Sequence, residues 1–314
     1  MIDFSKITTY SVADRYNLVT TENIAKLTDP IPDWGDENFE LLIEKIITAR
    51  QNGRPVIFSM GAHVVKNGMS RYIIELIKRG IITHISGNGA VSIHDFELCY
   101  NGGTSEDVKT AIEDGSFGMW EETGRWMNLA IQQGAAKGIG YGKALGEYIH
   151  NNPEMFPYKN DCIIYNAFIK GIPATYHIAL GTDIIHQHPI ADFAAYGAAS
   201  GADFKTMCQS VADLDGGVFL NFGSAVIGPE VFLKALSISR NLGYQNFNIT
   251  TANFDLINLG KGKPSFSPND PLYYYRPGKN IVARPVSRGG TGFHFVGDHK
   301  ATIPNLYKSI LKHL

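Results

Sequence analysis

The sequence predicts an α/β protein with a Rossmann-like, doubly wound, mainly parallel sheet and helices on both faces. Short apolar runs alternate along the chain with segments of helical periodicity, and a glycine follows most of the apolar runs. The runs are continuously apolar, which is typical of parallel strands buried on both faces. Together these observations favour a sheet whose carboxyl edge is lined by glycine turns.

The elements follow one another in regular order. Strands are predicted over 55–60, 81–86, 173–180, 217–222, 246–250 and 293–296. Helices are predicted around 39–52, 69–79, 104–114, 120–133, 143–150, 161–170, 229–241 and 303–312. Residues 1–36, which include the Pro-rich TDPIPDWG, are expected to form an amino-terminal arm, and 37–314 a single domain.

The composition narrows the possible partners. The 28 basic and 30 acidic residues give a net charge of −2, so we expect no nucleic-acid partner. No apolar run reaches about 18 residues and no signal peptide is visible, which favours a protein that spans no membrane. Three widely spaced cysteines indicate reduced thiols and a cytoplasmic protein.

Polar residues and glycines concentrate after the predicted strands. Ligands of open parallel sheets bind beyond the carboxyl ends of the strands, so a functional cleft is expected there. The candidate positions are Gly61, Asn67, Gly87, Asn88, Gly89, Asp95, Asp183, Gly223, Ser224, Thr251, Asn253, Asp255 and Asp298. The turns at 87–89 and 223–225 let backbone amides approach a phosphate, and the helix after the second turn adds a positive dipole. Glu230, at the start of that helix, opposes an anion there.

Asp183, His186 and His188 have a spacing that is also found in metal sites. Two imidazoles two residues apart on a strand point to one face, as a metal-dependent hydrolase requires. The alternative interpretation places both rings in a cofactor pocket, hydrogen-bonded and without metal. Further metal ligands would have to come from His63, His94 or Asp95.

A tyrosine run, Tyr273-Tyr274-Tyr275, precedes Arg276 and could form an aromatic wall for a cationic ligand. Packing is the simpler interpretation of the same run. Lys279 follows closely, and a lysine amine can form an imine with a carbonyl carbon.

Several segments resemble deoxyhypusine synthases, in the same order along the chain. They are GAHVVKNGMSRYIIELIKRGIITHISGNGAVSIHDFE (61–97), IPATYHIALGTD (172–183), LNFGSAVIGPEVFLKA (220–235), TTANFD (250–255) and GDHKATIP (297–304). The resemblance implies a homotetramer that binds NAD, oxidises spermidine and transfers its aminobutyl group through a lysine imine. The acceptor would be a protein lysine or another small amine.

The resemblance also implies roles for individual residues. Lys279 would be the imine lysine, aided by Asp183, His186 and His188. The polyamine would contact Asp183, Asp270, Tyr274 and Tyr275, and NAD the strand-end positions named above. The chain departs from the family where Gly223-Ser224-Ala225 replaces three glycines and where the family's active-site histidine has no match. A metal-dependent hydrolase and a non-catalytic NAD-binding protein therefore stay open as alternatives.

Overall fold

The computed structural model describes residues 2–259, 269 and 272–314. Its strands are β1 (Val19–Thr20), β2 (Val56–Met60), β3 (His84–Asn88), β4 (Gly103–Thr104), β5 (Ala174–His177), β6 (Val218–Phe222), β7 (Thr250–Asp255) and β8 (Thr291–Val296). The helices are α1 (Phe39–Gln51), α2 (His63–Lys66), α3 (Ser70–Lys78), α4 (Gly89–Asn101), α5 (Val108–Asp114), α6 (Glu121–Ala136), α7 (Tyr141–Asn151), α8 (Ile163–Lys170), α9 (Phe193–Ala212), α10 (Ile227–Asn241) and α11 (His299–Leu311).

Six of the strands form one fully parallel sheet in the order β5-β3-β2-β6-β7-β8. Numbered within the sheet, this order is 3-2-1-4-5-6, the order of dinucleotide-binding Rossmann domains. The strands that follow β2 in sequence, β3 and β5, lie on one side of it, and β6, β7 and β8 lie on the other side. The topological switch point is therefore between β2 and β6. The predicted fold class is confirmed.

Alternate side chains of the strands pack on opposite faces of the sheet. Ile57 and Phe219 lie in a buried cluster with Phe232 of α10. Their neighbours Phe58 and Leu220 lie in the larger core cluster, which also contains the buried side chains of α1, α3 and α11. Helices therefore cover both faces, and β2 and β6 are buried along their whole length.

Three predicted boundaries are wrong. The strand predicted at 246–250 lies too early in the chain, because the observed strand β7 begins at Thr250. Nearly all of β7 is buried, although its Thr and Asn residues are typical of a loop. Thr104 does not cap a helix but pairs in β4, and the helix begins after the cap residue Asp107. Residues 184–187 form a 3-10 turn instead of a strand.

The amino-terminal segment lies on the body of the protein and is fixed there by specific contacts. β1 pairs with β4 in a two-stranded antiparallel sheet. Arg15 is buried and forms an ion pair of 2.7 Å with the buried Glu97 of α4. None of the described helices has the length and apolar character needed to cross a membrane.

Candidate functional site

The switch point brings two backbone turns into close contact. A Cβ atom built on Gly61 would lie 2.5 Å from the carbonyl oxygen of Gly223, so the turn after β2 needs a residue without a side chain. Gly223 has a φ of +66°, and a Cβ there would lie 2.5 Å from Nε2 of His299. The two turns and the amino-terminal end of α11 thus meet at one point on the carboxyl edge.

Buried polar atoms without partners surround this point. Ser59 Oγ, Asn221 Oδ1 and His299 Nδ1 are buried and accept or donate no hydrogen bond within the described residues. Burial lowers the pKa of His299, so its ring is neutral at pH 7. Ser59 Oγ and Asn221 Oδ1 lie against Gly228 of α10, since a Cβ atom there would be 2.7 and 3.0 Å from them. Buried polar groups are nearly always paired in folded proteins, so three unpaired atoms near the switch point favour a ligand there.

The amino-terminal end of α10, which follows the turn at Gly223, has unused donors. In the part of the chain that the structure describes, the backbone amides of Ala225 and Val226 donate no hydrogen bond. Such an end attracts anions through its free amides and its dipole. The opposing charge of Glu230 is compensated, because its carboxylate binds Lys234, Arg276 and Asn280. The repulsion expected from the sequence is therefore weak.

A hydrogen-bonded chain continues along the edge from β6 to β8. Asn221 donates to Oδ1 of Asn253 at 2.7 Å, and Asn253 donates to the Tyr275 hydroxyl at 3.0 Å. Tyr275 donates to Asp255 at 2.7 Å, and burial raises the pKa of its phenol. The structure thus brings together four positions of this edge, including the predicted residues Asn253, Asp255 and Tyr275.

Lys279 lies next to this chain, in the π-helical turn Gly278–Ala283. Its side chain is buried, and Nζ lies 4.0 Å from the ring centre of Tyr273 and 5.9 Å from that of Tyr274. The neighbouring Asn280 binds Glu230 on the first turn of α10. No carboxylate within the described residues pairs with Lys279. Asp270 lies outside the described residues.

The Asp183, His186 and His188 segment folds as a local turn. Nδ1 of His186 accepts from the amides of Gly181 and Asp183, each at 3.2 Å. Nε2 of His188 lies 3.1 Å from Glu121 of α6. No cluster of three or more metal-ligating side chains occurs in the described ranges, so the geometry gives the metal-dependent hydrolase no support.

The remaining predicted positions are distributed over the sheet edge and its surroundings. Asn88 caps α4 through the amide of Val91, and Asp298 caps α11 through that of Lys300. Asn67 ends α2. Gly87, Asp95 and Thr251 face inward: Gly87 lies within β3, Asp95 accepts from the first amides of α8, and Thr251 donates to the carbonyl oxygen of Ile281. Ser224 accepts from the amide of Gly228 and holds the 224–228 turn in shape.

The fold is shared with solved structures at low sequence identity. A "conserved putative LOR/SDH protein" from Methanococcus maripaludis S2 superimposes with a TM-score of 0.52 at 14% identity, covering 91% of this chain and 73% of that one. Unliganded AgrE superimposes with a TM-score of 0.51 at 15% identity, covering 90% of this chain and 34% of AgrE. AgrE has also been solved in a ternary complex with ornithine and NAD+.

A "putative deoxyhypusine synthase" from Entamoeba histolytica superimposes with a TM-score of 0.49 at 9% identity, covering 88% of this chain and 87% of that one. So loose a superposition carries no conclusion about family. The chain spans about a third of the length of AgrE. No protein-family model and no curated protein matches the sequence. The comparisons show the fold, and function has to be argued from the site.

Sequence reasoning missed Arg15, Ser59, Lys66 and Asn221. Ser59 and Asn221 lie inside apolar strands, where single polar residues give no signal of their own. Arg15 lies 82 positions before its partner Glu97, and Lys66 resembles an ordinary helix lysine. Their positions depend on contacts that only the folded chain makes.

Proposed function

We propose that this chain is an NAD-dependent enzyme acting on a small amine, with NAD bound across the switch point between β2 and β6. The observation that carries the proposal is the 3-2-1-4-5-6 strand order combined with a free-amide helix end at its switch point. AgrE, which shares this fold, supports the proposal as an analogy because it binds NAD+.

The residues around the switch point suit this cofactor. The amides of Ala225 and Val226 and the start of α10 would hold the pyrophosphate. Ser59, Asn221 and His299 supply unpaired polar atoms for the rest of the molecule. When bound, NAD supplies a hydride acceptor for the oxidation of an amine carbon. The protein's own share is to bind, orient and exclude water.

The cofactor proposal is tested by calorimetry with NAD and NADH. Ala225→Glu places a carboxylate beside the free amides and is expected to weaken binding roughly tenfold or more. Ala225→Gln has nearly the same shape without the charge and is expected to bind within about twofold of the unmodified chain. Absence of NAD and NADH binding by the unmodified chain, or equal losses in both variants, would contradict the proposed site.

The finer reaction that we propose is aminobutyl transfer from spermidine to an amine or a protein lysine, with Lys279 as the imine-forming residue. Its support is the enclosure of Lys279 against tyrosine rings without a carboxylate partner among the described residues. After NAD has accepted a hydride from spermidine, the deprotonated amine of Lys279 would attack the oxidised carbon, form the imine and release 1,3-diaminopropane. The acceptor amine would then displace Lys279, and the hydride would return to the product imine.

Borohydride trapping tests this reaction. In the presence of spermidine and NAD, a mass adduct is expected on Lys279 and none in Lys279→Arg, which keeps the charge but forms no stable imine. Lys308→Arg, on the exposed side of α11, is the matched control and should retain the adduct. An adduct on another lysine refutes the assignment. NAD binding without turnover of any amine would favour the non-catalytic NAD-binding protein.

Assembly as a homotetramer belongs to the same proposal and rests on the family resemblance. Light scattering at micromolar concentration measures it directly. A monomer at that concentration would reject it.

A further inference from the structure

A cavity lies between the amino-terminal segment, α4 and the turn that follows β5. It has a volume of about 200 Å³. A water molecule occupies about 30 Å³ of liquid, so the cavity has room for roughly six or seven waters, or for a small organic ligand of about eight heavy atoms. The charged or titratable side chains along its wall are Arg15, Lys66, His94, Glu97, Glu106 and Asp183.

Asp183 contributes an unpaired carboxylate to this wall. The residue is 9% exposed, and its Oδ2 has no hydrogen-bond partner within the described residues. A Cβ atom on Gly89 would lie 1.9 Å from that oxygen, so the carboxylate lies on the first residue of α4. Nε2 of His186, which also lacks a partner among the described residues, is 4.0 Å from Oδ2, beyond hydrogen-bond distance. A buried carboxylate oxygen without a partner is costly, which favours a cationic ligand group at this position.

Lys66 contributes a positively charged ammonium group to the same wall. It ends α2, is half-buried, and forms no ion pair or side-chain hydrogen bond with any residue that the structure describes. The pKa of His94, which lies in the same wall, is lowered mainly by burial and to a smaller extent by the charge of Lys66.

The other titratable side chains of the wall are paired, neutral or hydrogen-bonded within the protein. Arg15 and Glu97 neutralise one another at 2.7 Å. Burial lowers the pKa of His94 to about 4, so that ring is neutral at pH 7. Glu106 accepts the amide of Gly118 at 3.1 Å, and burial raises the pKa of its carboxyl. Asp183 Oδ2 and Lys66 Nζ therefore remain without a partner among the described residues.

We infer that this cavity binds a small zwitterion, an amino acid with its ammonium group on Asp183 and its carboxylate on Lys66. A diamine would satisfy Asp183 and leave its second cation against Lys66. A simple carboxylate would satisfy Lys66 and leave Asp183 unpaired. Only a ligand with both charges pairs both groups.

The cavity adjoins the proposed NAD site through α2. This helix begins two residues after Gly61 at the switch point and ends at Lys66 in the cavity wall. A ligand of the cavity is thus placed near the proposed cofactor site and is a candidate for the acceptor amine of the proposed transfer. That identification rests on the proposed function, whereas binding to the cavity does not.

Calorimetry without cofactor tests the inference, so its outcome is independent of NAD binding. The probes are two matched trios: δ-aminovalerate, cadaverine and valerate, and γ-aminobutyrate, putrescine and butyrate. At least one amino acid is expected to bind roughly tenfold or more tightly than its diamine and its simple carboxylate. A diamine that binds as tightly as the amino acid of its trio, or failure of both amino acids to bind, overturns the inference.

Two variants assign the charges. Asp183→Asn keeps the side-chain shape and should lose roughly tenfold or more in amino-acid affinity. Lys66→Glu should reverse the preference within a trio in favour of the diamine, a change that a purely structural lysine would not produce. Lys45→Glu, an exposed lysine on α1, is the control and should leave the preference unchanged. An unaltered preference in Lys66→Glu would overturn the assignment.

Discussion

Asp95 and Asp183 are buried carboxylates in two neighbouring regions, and burial raises the pKa of each to about 6. At Asp95 the amides of Ile163 and Ile164 donate to the two oxygens at 3.0 and 2.8 Å, and the Cys162 thiol donates as well. At Asp183 one oxygen has no partner among the described residues. Similar pKa values thus conceal different surroundings: the first carboxylate holds α8 in place, and the second has an oxygen that no donor of the described residues satisfies.

The cavity wall that contains Asp183 also contains a buried ion pair between Arg15 and Glu97. Arg15→Met leaves Glu97 charged and buried, so we expect the free energy of unfolding to fall by about 3–5 kcal/mol. Chemical denaturation measures this change. The double variant Arg15→Met/Glu97→Gln removes the stranded charge and should recover part of the loss.

An exposed pair provides the control for Arg15. Lys78→Met breaks its ion pair with Glu75 at the surface and should cost less than about 1 kcal/mol. A loss of that small size in Arg15→Met would mean that the amino-terminal segment does not depend on this contact.

The sequence predicts the architecture of the sheet more completely than it predicts the site. Glycine after apolar runs predicts the parallel sheet because each strand must turn sharply into its helix. It cannot predict that β2 and β6 are neighbours, since strand order depends on contacts between residues far apart in sequence. For the same reason Asp95 and Asp183 look alike in sequence: only the folded chain places α8 against one and a cavity against the other.

Matched amide substitutions separate the two carboxylates at pH 8. Asp95→Asn and Asp183→Asn each remove one buried charge, but the amide nitrogen introduced at Asp95 would face a backbone amide of α8. That repulsion leaves a buried donor unpaired and costs about 2–3 kcal/mol. We expect Asp95→Asn to be less stable than Asp183→Asn by this difference in urea unfolding. Equal stabilities would remove the distinction between the regions.

The pH dependence of Asp183→Asn is the finest test of the available carboxylate. The folded-state pKa of Asp183 is raised from 3.8 to about 6, so the folded protein binds the proton more tightly than the unfolded chain does. Ionisation therefore destabilises the fold progressively between about pH 4 and pH 6, and the penalty is complete above pH 6. The Asn variant lacks this penalty. Relative to the unmodified chain, its free energy of unfolding should rise by about 1–2 kcal/mol between pH 4 and pH 8, after allowance for relaxation around the charge. Subtracting the two pH profiles cancels the contribution of Asp95, which is present in both proteins. A difference that stays constant from pH 4 to pH 8 would mean that Asp183 is paired in solution, and a difference that falls would mean that its carboxylate stabilises the fold.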